Sequence, residues 1–518
     1  MTHVVIVGAG IAGIPAAYAL KNRLDPNDQV TVVSDRDYFN FVPSNPWIAM
    51  GWRNRSDIAF PIDPYLEARG INFVAKGLAQ VHAATNRVEL VDGSWLHYDY
   101  LVLATGAAPA YEEVAGMHPA HGFVHAVVRL EQAIEAAHAY KEFVKHPGAI
   151  VIGAAAGCAI LGPVYETAFL IDADLRRRGI RERATITLVT PEPYVAHFGI
   201  GAETETQRLL ENALAEREIV AHCNMKTSEV TAGDIHLAQY DHKGQEIIHT
   251  TLPFVFGIYA PAYKGIAPLS LTTGLTNARG MVTVDEYLRS PVYPNVYAAG
   301  ICVAQPPFAA TPVPVGPPES VYSIQNQVDT VTRNILADIK KEALTSAQPQ
   351  RAKWLSDLGE TGAAHLAEPQ IPLRNINQIK QGRWVHLAKV EFEQYFLNKI
   401  KLKPGEQTPG VLSDISTTLR RLQSDKSGST QATRTGLIAR RLDIPVERDA
   451  NYELRALAKT LNVEEKTIAA MLLNAALKDA KRYLGEVALA DMERERRNLI
   501  LAELPENQPG VEFHGGGT

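Results

Sequence analysis

The sequence predicts an α/β protein with two Rossmann-like dinucleotide-binding domains, a C-terminal region and a small ribbon-helix-helix-like module. Three observations favour this fold class. A hydrophobic strand runs into a glycine-rich turn and a helix at residues 3–20, and the same order returns from residue 149. A third strand and glycine turn, at residues 296–300, lead the chain back to the first domain. Repeated strand, turn and helix order is typical of parallel sheets covered by helices.

The amino-acid composition indicates the cellular compartment and the kinds of binding partner that we expect. The chain has 518 residues, enough for two or three domains, and its net charge of −6 gives no reason to expect nucleic-acid binding. Three cysteines, Cys158, Cys223 and Cys302, are too few and too scattered for a disulfide framework or a metal cluster. We expect a cytoplasmic protein without a signal peptide or membrane span, so that any membrane contact is peripheral.

The N-terminal segment HVVIVGAGIAG carries a dinucleotide-binding fingerprint. Gly8 permits the tight turn, Gly10 lets the backbone approach a pyrophosphate, and Gly13 lets the helix pack on the strand. The N-terminus of the following helix, near Ala12, favours the anionic phosphates. The next strand ends at Ser34 and Asp35, where a ribose-binding group belongs.

Later segments complete the layout of flavoproteins with two dinucleotide-binding domains. In such proteins a turn like VYAAG, here followed by Ile301, brings a second backbone contact to FAD, and the ATG element with Thr105 and Gly106 is its companion. Gly300 closes the first of these turns. The stretch at 37–52, rich in Pro, Asn and aromatic residues, predicts a packed loop. A doubly wound fold without a cofactor is the alternative.

The domain boundaries follow from these segments and from two polar, Gly- and Pro-containing stretches near residues 404 and 424. The predicted parts are the FAD-binding domain at 1–148 and 270–340, the second Rossmann-like domain at 149–269, a quinone- or membrane-facing region at 341–403, a linker at 404–436 and an α-rich oligomerisation module at 437–518.

Several longer motifs resemble those of sulfide:quinone oxidoreductases, over residues 1 to about 403. They are FVPSNPW with Pro43, LGPVYE, EPYVAHFG, TPVPVGPP with Gly316, LGETGAAHLAEPQIP and RWVHLAKVEFEQYF. The resemblance implies FAD at the N-terminal fingerprint, a quinone at the far face of the flavin, and a donor other than NAD(P)H. The second glycine turn, GAAAGC, lacks the middle glycine of the fingerprint, which also argues against a second dinucleotide.

The chain departs from that family where the family carries its sulfur chemistry. The resemblance places a pair of cysteines at the positions of Ile160 and Trp354 and a third at Val128. Isoleucine and tryptophan cannot form the disulfide that sulfide attacks, nor the thiolate that reacts with the flavin. A family lysine is replaced by Glu319, which would disfavour negative charge on a reduced flavin.

Candidate catalytic residues remain. Glu166 and His197 stand where the family has an acid and a histidine, and each could move protons or simply form a structural hydrogen bond. Cys302 follows the Gly300 turn and could serve a sulfur or thiol donor, as could Cys158. The alternative for both thiols is a buried apolar role, because free cysteines are usually buried. If Cys158 lies on a helix, it points away from the family position.

Two C-terminal segments suggest partners. Phe392, Tyr395 and Phe396 belong to an aromatic and basic amphipathic stretch, which suits a quinone or membrane contact and equally a core-facing helix. Residues 439–485 read as a strand and two helices, as in ribbon-helix-helix modules, which pair their strands into dimers. Acids at 443 and 447 on the outward face oppose DNA phosphates, so a homo-oligomer is favoured over nucleic-acid binding.

These observations leave two hypotheses. The first is an FAD-dependent oxidoreductase with an altered or lost sulfide half-reaction and electron transfer to quinone. The second is an oligomeric flavoprotein whose FAD is structural or redox-sensing, without sulfide turnover.

Overall fold

The computed structural model describes residues 1–201, 204–347, 352–359, 361–368, 376–402 and Arg455. The chain divides into two units, Met1–Gln407 and Thr408–Thr518. The linker predicted at 404–436 and the ribbon-helix-helix-like module predicted at 437–518 lie outside the described residues, apart from Arg455.

The strands are short and numerous. In chain order they are β1 His3–Val7, β2 Gln29–Val33, β3 Tyr38–Asn40, β4 Ala59–Pro61, β5 Asn72–Val74, β6 Leu78–His82, β7 Arg87–Leu90, β8 Trp95–His97, β9 Tyr100–Leu103, β10 Ala108–Pro109, β11 Ala149–Ala154, β12 Thr185–Val189, β13 Ile219–His222, β14 Met225–Val230, β15 Asp234–Tyr240, β16 Glu246–Pro253, β17 Phe256–Ala260, β18 Tyr263–Lys264, β19 Val296–Ala298, β20 Ala352–Asp357, β21 Gly362–Glu368 and β22 Ile376–Gly382.

The α-helices are α1 Gly13–Lys21, α2 Asn45–Ala49, α3 Arg55–Ile58, α4 Asp63–Glu67, α5 Leu130–Phe143, α6 Leu161–Arg177, α7 Thr204–Ala215, α8 Ala267–Ser270, α9 Val321–Ile339 and α10 Arg383–Lys401. Short 3-10 helices occur at Val42–Ser44, Ala83–Thr85, Tyr111–Glu113, Pro119–His121 and Arg181–Arg183.

The first Rossmann-like sheet has the strand order β19-β9-β1-β2-β5, with all neighbours parallel. The three valines and the isoleucine of β1 between Val4 and Val7 are buried on both faces, as expected for a central parallel strand. Because β19 pairs with β9, the chain returns to the first domain near residue 296. The prediction of this return is confirmed.

The second Rossmann-like sheet has the order β13-β12-β11-β17, again parallel throughout. The helix α6 follows β11 and packs on the same sheet. In the sequence, the strands of a three-stranded antiparallel sheet, β14-β15-β16, lie between β13 and β17. The predicted α/β class with two Rossmann-like domains is therefore confirmed.

The aromatic stretch at 37–52 is not a simple loop. It forms β3, a 3-10 turn and the helix α2, and both Trp47 and Phe41 are almost fully buried. Pro46 occupies the first turn of α2, where a missing backbone N–H removes no helical hydrogen bond. The prolines that suggested a loop thus begin a short helix.

The region after residue 347 forms the antiparallel sheet β20-β21-β22, and α10 packs against β20. Phe396 is only 2% exposed and lies 5.3 Å from the ring of Phe41, so it belongs to the core. Its burial contradicts a membrane-facing position and leaves the quinone alternative open. Phe392 is partly buried and Tyr395 is exposed. Within the described ranges, no helix is both long and apolar enough to cross a bilayer.

Candidate functional site

The turn between β1 and α1 depends on close backbone approach. Gly8 has a φ of +119°, and a side chain there would overlap the carbonyl of Ala104 at the end of β9. A side chain at Gly13 would overlap the carbonyl of Gly8. At Gly10 an added Cβ would meet nothing within 4 Å, so the turn is tight against the protein on one side and open on the other. An open backbone at the second glycine is what a bound pyrophosphate requires.

The helix α1 begins against this open side. Its N-cap is Ala12, and no side chain caps the helix there. The first amide groups of a helix carry partial positive charge, and an anion satisfies them well. The β1–α1 turn therefore fits the phosphates of a dinucleotide.

The second predicted contact lies beside the first. Gly300 has a φ of +90°, and an ideal Cβ on it would lie 3.2 Å from the Cβ of Ala12. An ideal Cβ on Gly106 would lie 3.9 Å from Cγ1 of Ile301, and Thr105 donates its hydroxyl proton to the carbonyl of Gly106 at 3.0 Å. The structure thus brings these turns to one edge of the first sheet.

The remaining predicted cofactor residues are more scattered. Ser34 is buried, and its hydroxyl accepts the backbone N–H of Arg36 at 3.1 Å. The carboxylate of Asp35 lies 3.6 Å from Arg36 and is 69% exposed, which leaves it available to a ribose hydroxyl. Pro43 lies in the 3-10 turn before α2.

Gly316 contacts the glycine turn of the second domain. A side chain on Gly316 would lie 2.6 Å from the carbonyl oxygen of Gly157, and its own N–H donates to the carbonyl of Cys158 at 3.0 Å. In return, the N–H of Gly157 donates to the carbonyl of Pro314 at 2.6 Å. The amide of Gly157, which would face a pyrophosphate in a dinucleotide site, is here bonded to this chain. The second turn therefore fits a second dinucleotide poorly.

Two glutamines of α9 connect the first two predicted cofactor turns, and sequence analysis did not identify them. Gln325 donates its side-chain N–H to the carbonyl of Ile11 at 2.9 Å. The side-chain oxygen of Gln327 accepts the N–H of Gly300 at 2.7 Å, and its amide nitrogen donates to Glu319 at 3.1 Å. The start of α9 is therefore fixed to both turns.

Glu166 forms a buried ion pair with Lys389. The ammonium group of Lys389, on α10, donates to the carboxylate of Glu166, on α6, and lies 5.0 Å from the ring centre of Trp47. Burial raises the pKa of Glu166 to about 7, although Lys389 opposes that rise. Sequence analysis identified Glu166 and missed Lys389.

Asp357, at the end of β20, lies next to this pair. Its carboxylate accepts hydrogen bonds from the indole N–H of Trp47 at 3.1 Å and the backbone N–H of Gly359 at 2.9 Å, and it lies 2.9 Å from Nδ1 of His386. Asp357 is fully buried, whereas the side chain of His386 is 30% exposed. The negative charge of Asp357 contributes to the raised pKa of Glu166.

His197 is buried in a strained loop after β12. Its Nδ1 accepts the N–H of Gly199 at 3.2 Å, and the neighbouring residues Ala196 and Phe198 have positive φ values of 67° and 51°. The carboxylate of Glu192 stabilises this loop by accepting the N–H of Phe198 at 2.6 Å. Sequence analysis did not identify Glu192. Its position just after a buried strand was a signal that could have found it.

The loop also approaches the TPVPVGPP segment. A side chain at Gly199 would overlap the carbonyl of Gly316. His197 therefore lies near the segment that contacts the second glycine turn.

Both thiols singled out above are buried. The Sγ of Cys302 donates to the carbonyls of Leu103 and Ala299 at 3.3 and 3.4 Å, and burial raises its pKa to about 11. Burial also raises the pKa of Cys158 to about 12. Cys158 lies in the turn before α6 and not on the helix. The expectation that it points away from the family position assumed a helix and therefore does not apply.

Two of the three positions at which the resemblance places cysteines line an apolar crevice. Ile160 and Val128 line one small crevice, together with Val127, Ile152, Gly153, Pro163, Val164, Thr167, Ile258, Tyr259 and Ala260. Trp354 lies in β20, where it pairs in register with His365 of β21. The crevice contains no thiol.

The comparisons with known proteins agree with this arrangement. A family model described as pyridine nucleotide-disulphide oxidoreductase matches residues 2–327. The chain is 34% identical to a sulfide-quinone reductase of Aquifex aeolicus over 401 residues, which cover 77% of this chain and 91% of that protein. The X-ray structure of the sulfide:quinone oxidoreductase from the same bacterium matches with a TM-score of 0.74 at 33% identity, covering 77% of this chain and 92% of that chain.

A more distant relative is an NADH dehydrogenase-like protein of Mycobacterium tuberculosis, 26% identical over 315 residues, which are 58% of this chain and 72% of that protein. The chain therefore belongs to the pyridine nucleotide-disulphide oxidoreductase family and, within it, to the sulfide-quinone reductases.

Proposed function

We propose that this chain binds FAD at the β1–α1 turn, delivers electrons to a quinone, and does not oxidise sulfide through a cysteine pair. When bound, FAD supplies two-electron redox chemistry. Gly10 and the N-terminus of α1 would hold its pyrophosphate, Asp35 its ribose, and the turns at Gly106 and Gly300 its flavin end. The open space at Gly10 and the uncapped helix start support this assignment.

The quinone half-reaction is supported by the buried pair of Glu166 and Lys389. Reduction of a quinone consumes two protons, and a carboxyl group whose pKa is near 7 can both hold and release one at neutral pH. Lys389 carries a positive charge beside it, which favours negative charge developing on a quinone oxygen. Phe392 lies on the same helix, and its ring is 6.0 Å from that of Phe41.

The altered donor half-reaction is supported by one observation above all: Ile160 and Val128 form the wall of an apolar crevice. Neither side chain can attack or be attacked as a sulfur nucleophile. The two buried thiols do not replace the missing cysteines, because their raised pKa values keep them protonated at neutral pH. The bonded amide of Gly157 also argues against NAD(P)H as the donor.

Anaerobic mixing of the FAD-loaded protein with sulfide tests the proposal. We expect the flavin absorbance band to persist, because no disulfide is present to accept the sulfide. The double variant Ile160→Cys with Trp354→Cys is the gain-of-function arm, and Ile160→Cys alone is its matched control. Rapid bleaching of the wild-type flavin by sulfide would refute the altered donor half-reaction.

The quinone half is tested separately. The protein is reduced chemically, freed of excess reductant and mixed with a short-chain quinone under anaerobic conditions. We expect fast reoxidation of the flavin, and slower reoxidation in Glu166→Gln and in Lys389→Met. Absence of reoxidation in the wild type would favour the alternative, a flavoprotein with structural or redox-sensing FAD.

Assembly and membrane contact extend the proposal. A homo-oligomer formed through residues 437–518 is tested by ending the chain before Gly405 and measuring its mass in solution. An unchanged subunit count would refute that role for the module. Peripheral membrane contact is tested by sedimentation of the full chain with anionic vesicles.

A further inference from the structure

Glu319 is a partly buried carboxylate just before α9, beside the Gly300 turn. It precedes the N-cap residue Ser320, and its oxygens accept hydrogen bonds from Ser323 at 2.7 Å, from Gln327 at 3.1 Å, and from Gln305. All three partners are uncharged. The described residues give Glu319 no cation as an ion-pair partner.

The orientation of Gln327 fixes the direction of these hydrogen bonds. The backbone N–H of Gly300 can only donate, so the atom that it contacts must be the side-chain oxygen of Gln327. The amide nitrogen of Gln327 then faces Glu319 and donates to it. A protonated Glu319 would have to give up one of these donors, so the contacts favour the carboxylate while burial opposes it.

Burial and hydrogen bonding therefore act in opposite directions on the pKa of Glu319. Burial is the main cause that raises the pKa of Glu319 to about 7, and its three hydrogen bonds lower it. Glu319 remains partly exposed to solvent, so proton exchange does not require unfolding. The group therefore changes charge near neutral pH, two hydrogen bonds from the backbone of a predicted flavin turn.

We propose that Glu319 couples reduction of the bound flavin to the uptake of one proton, acting through Gln327 on the Gly300 turn. The inference rests on the FAD binding proposed above. Two electrons and one proton enter the flavin, and a second proton from solvent binds the Glu319 carboxylate, forming one O–H bond and removing one negative charge. Negative charge on a flavin bound at the Gly300 turn would drive this uptake, because like charges raise the pKa of a carboxyl group.

Redox titration of the full-length, FAD-loaded protein tests the inference. Dithionite, which is oxidised to sulfite, supplies the electrons in the presence of reference dyes, and the midpoint potential is measured from about pH 6 to about pH 9. Above the pKa of Glu319, the wild-type potential should fall more steeply with pH than that of Glu319→Gln. One extra proton per two electrons adds about 30 mV per pH unit.

Glu192→Gln is the matched control, because the pKa of Glu192 is also raised to about 7 but its carboxylate contacts Tyr165, Thr190 and Phe198. We expect its potential to follow the wild-type slope. Reduced-minus-oxidised infrared spectra should show a protonated carboxyl in the wild type that is absent from Glu319→Gln. Parallel slopes in the wild type and Glu319→Gln would overturn the inference.

Other outcomes are also decisive. If Glu319→Gln loses FAD, the wild type alone decides: two protons per two electrons above pH 7 support the inference, and one proton overturns it. If the wild type binds no FAD, the proposed function itself fails. Because dithionite and dyes replace both natural partners, a missing quinone activity would leave this test unaffected.

Discussion

Lys389 and Glu166 meet in the protein interior although 223 positions separate them in the sequence. Both side chains are at most 9% exposed, and the pair joins α10 to α6. Removing one member of such a pair leaves the other charge buried without compensation. We therefore expect the loss of either member to destabilise the fold, in addition to its effect on the proposed proton transfer.

The variant Lys389→Met should destabilise the protein by about 3–5 kcal/mol at pH 8, because the buried Glu166 must then either stay ionised without its partner or take up a proton at a pH that disfavours it. The loss should shrink at pH 5, where Glu166 is protonated in the folded protein and carries no charge. Urea unfolding at the two pH values measures both effects. The matched control is Lys145→Met, which breaks an exposed pair with Glu142 and should change the stability little at either pH, because solvent screens exposed charges. An equal loss at both pH values would contradict the prediction.

Glu192→Gln should change how stability depends on pH. The pKa of Glu192 is raised to about 7 in the folded protein, chiefly by burial, so its ionisation costs stability as the pH rises from its ordinary pKa towards 7. The variant lacks this cost. Between pH 5 and pH 8, the free energy of unfolding of the wild type should therefore fall by about 2 kcal/mol relative to that of the variant. Urea unfolding measures both free energies. A difference between variant and wild type that stays constant across this pH range would contradict the prediction.

The three fingerprint glycines should respond differently to alanine. Gly8→Ala and Gly13→Ala should lower the melting temperature of the protein without FAD, because each new Cβ would overlap a backbone carbonyl. Gly10→Ala should leave that temperature nearly unchanged and weaken FAD binding by about tenfold or more, equivalent to ~1.4 kcal/mol. Thermal unfolding and flavin content measure the two effects. A Gly10→Ala protein with normal FAD affinity would exclude this turn as the pyrophosphate site.

The sequence predicted what is local and missed what is brought together by packing. Gly8, Gly10 and Gly13 could be assigned because one short segment contains the strand, the turn and the helix that give them their roles. Lys389 and Gln327 could not, because their partners, Glu166 and Gly300, are defined only once distant elements pack. Phe396 was ambiguous for a related reason. An amphipathic helix has the same pattern whether its apolar face meets a membrane or a core, and the contact with Phe41 decides this residue.

The contacts of Pro314 and Gly316 with the second glycine turn have a mechanical consequence. A turn that holds a soluble cofactor must open and refill in every catalytic cycle, but a turn held by a segment of the same chain does not. The two Rossmann-like domains are tied together at that point by backbone hydrogen bonds and should move as one body. Substrate exchange would then depend on side chains and short loops, with no need for one domain to swing against the other.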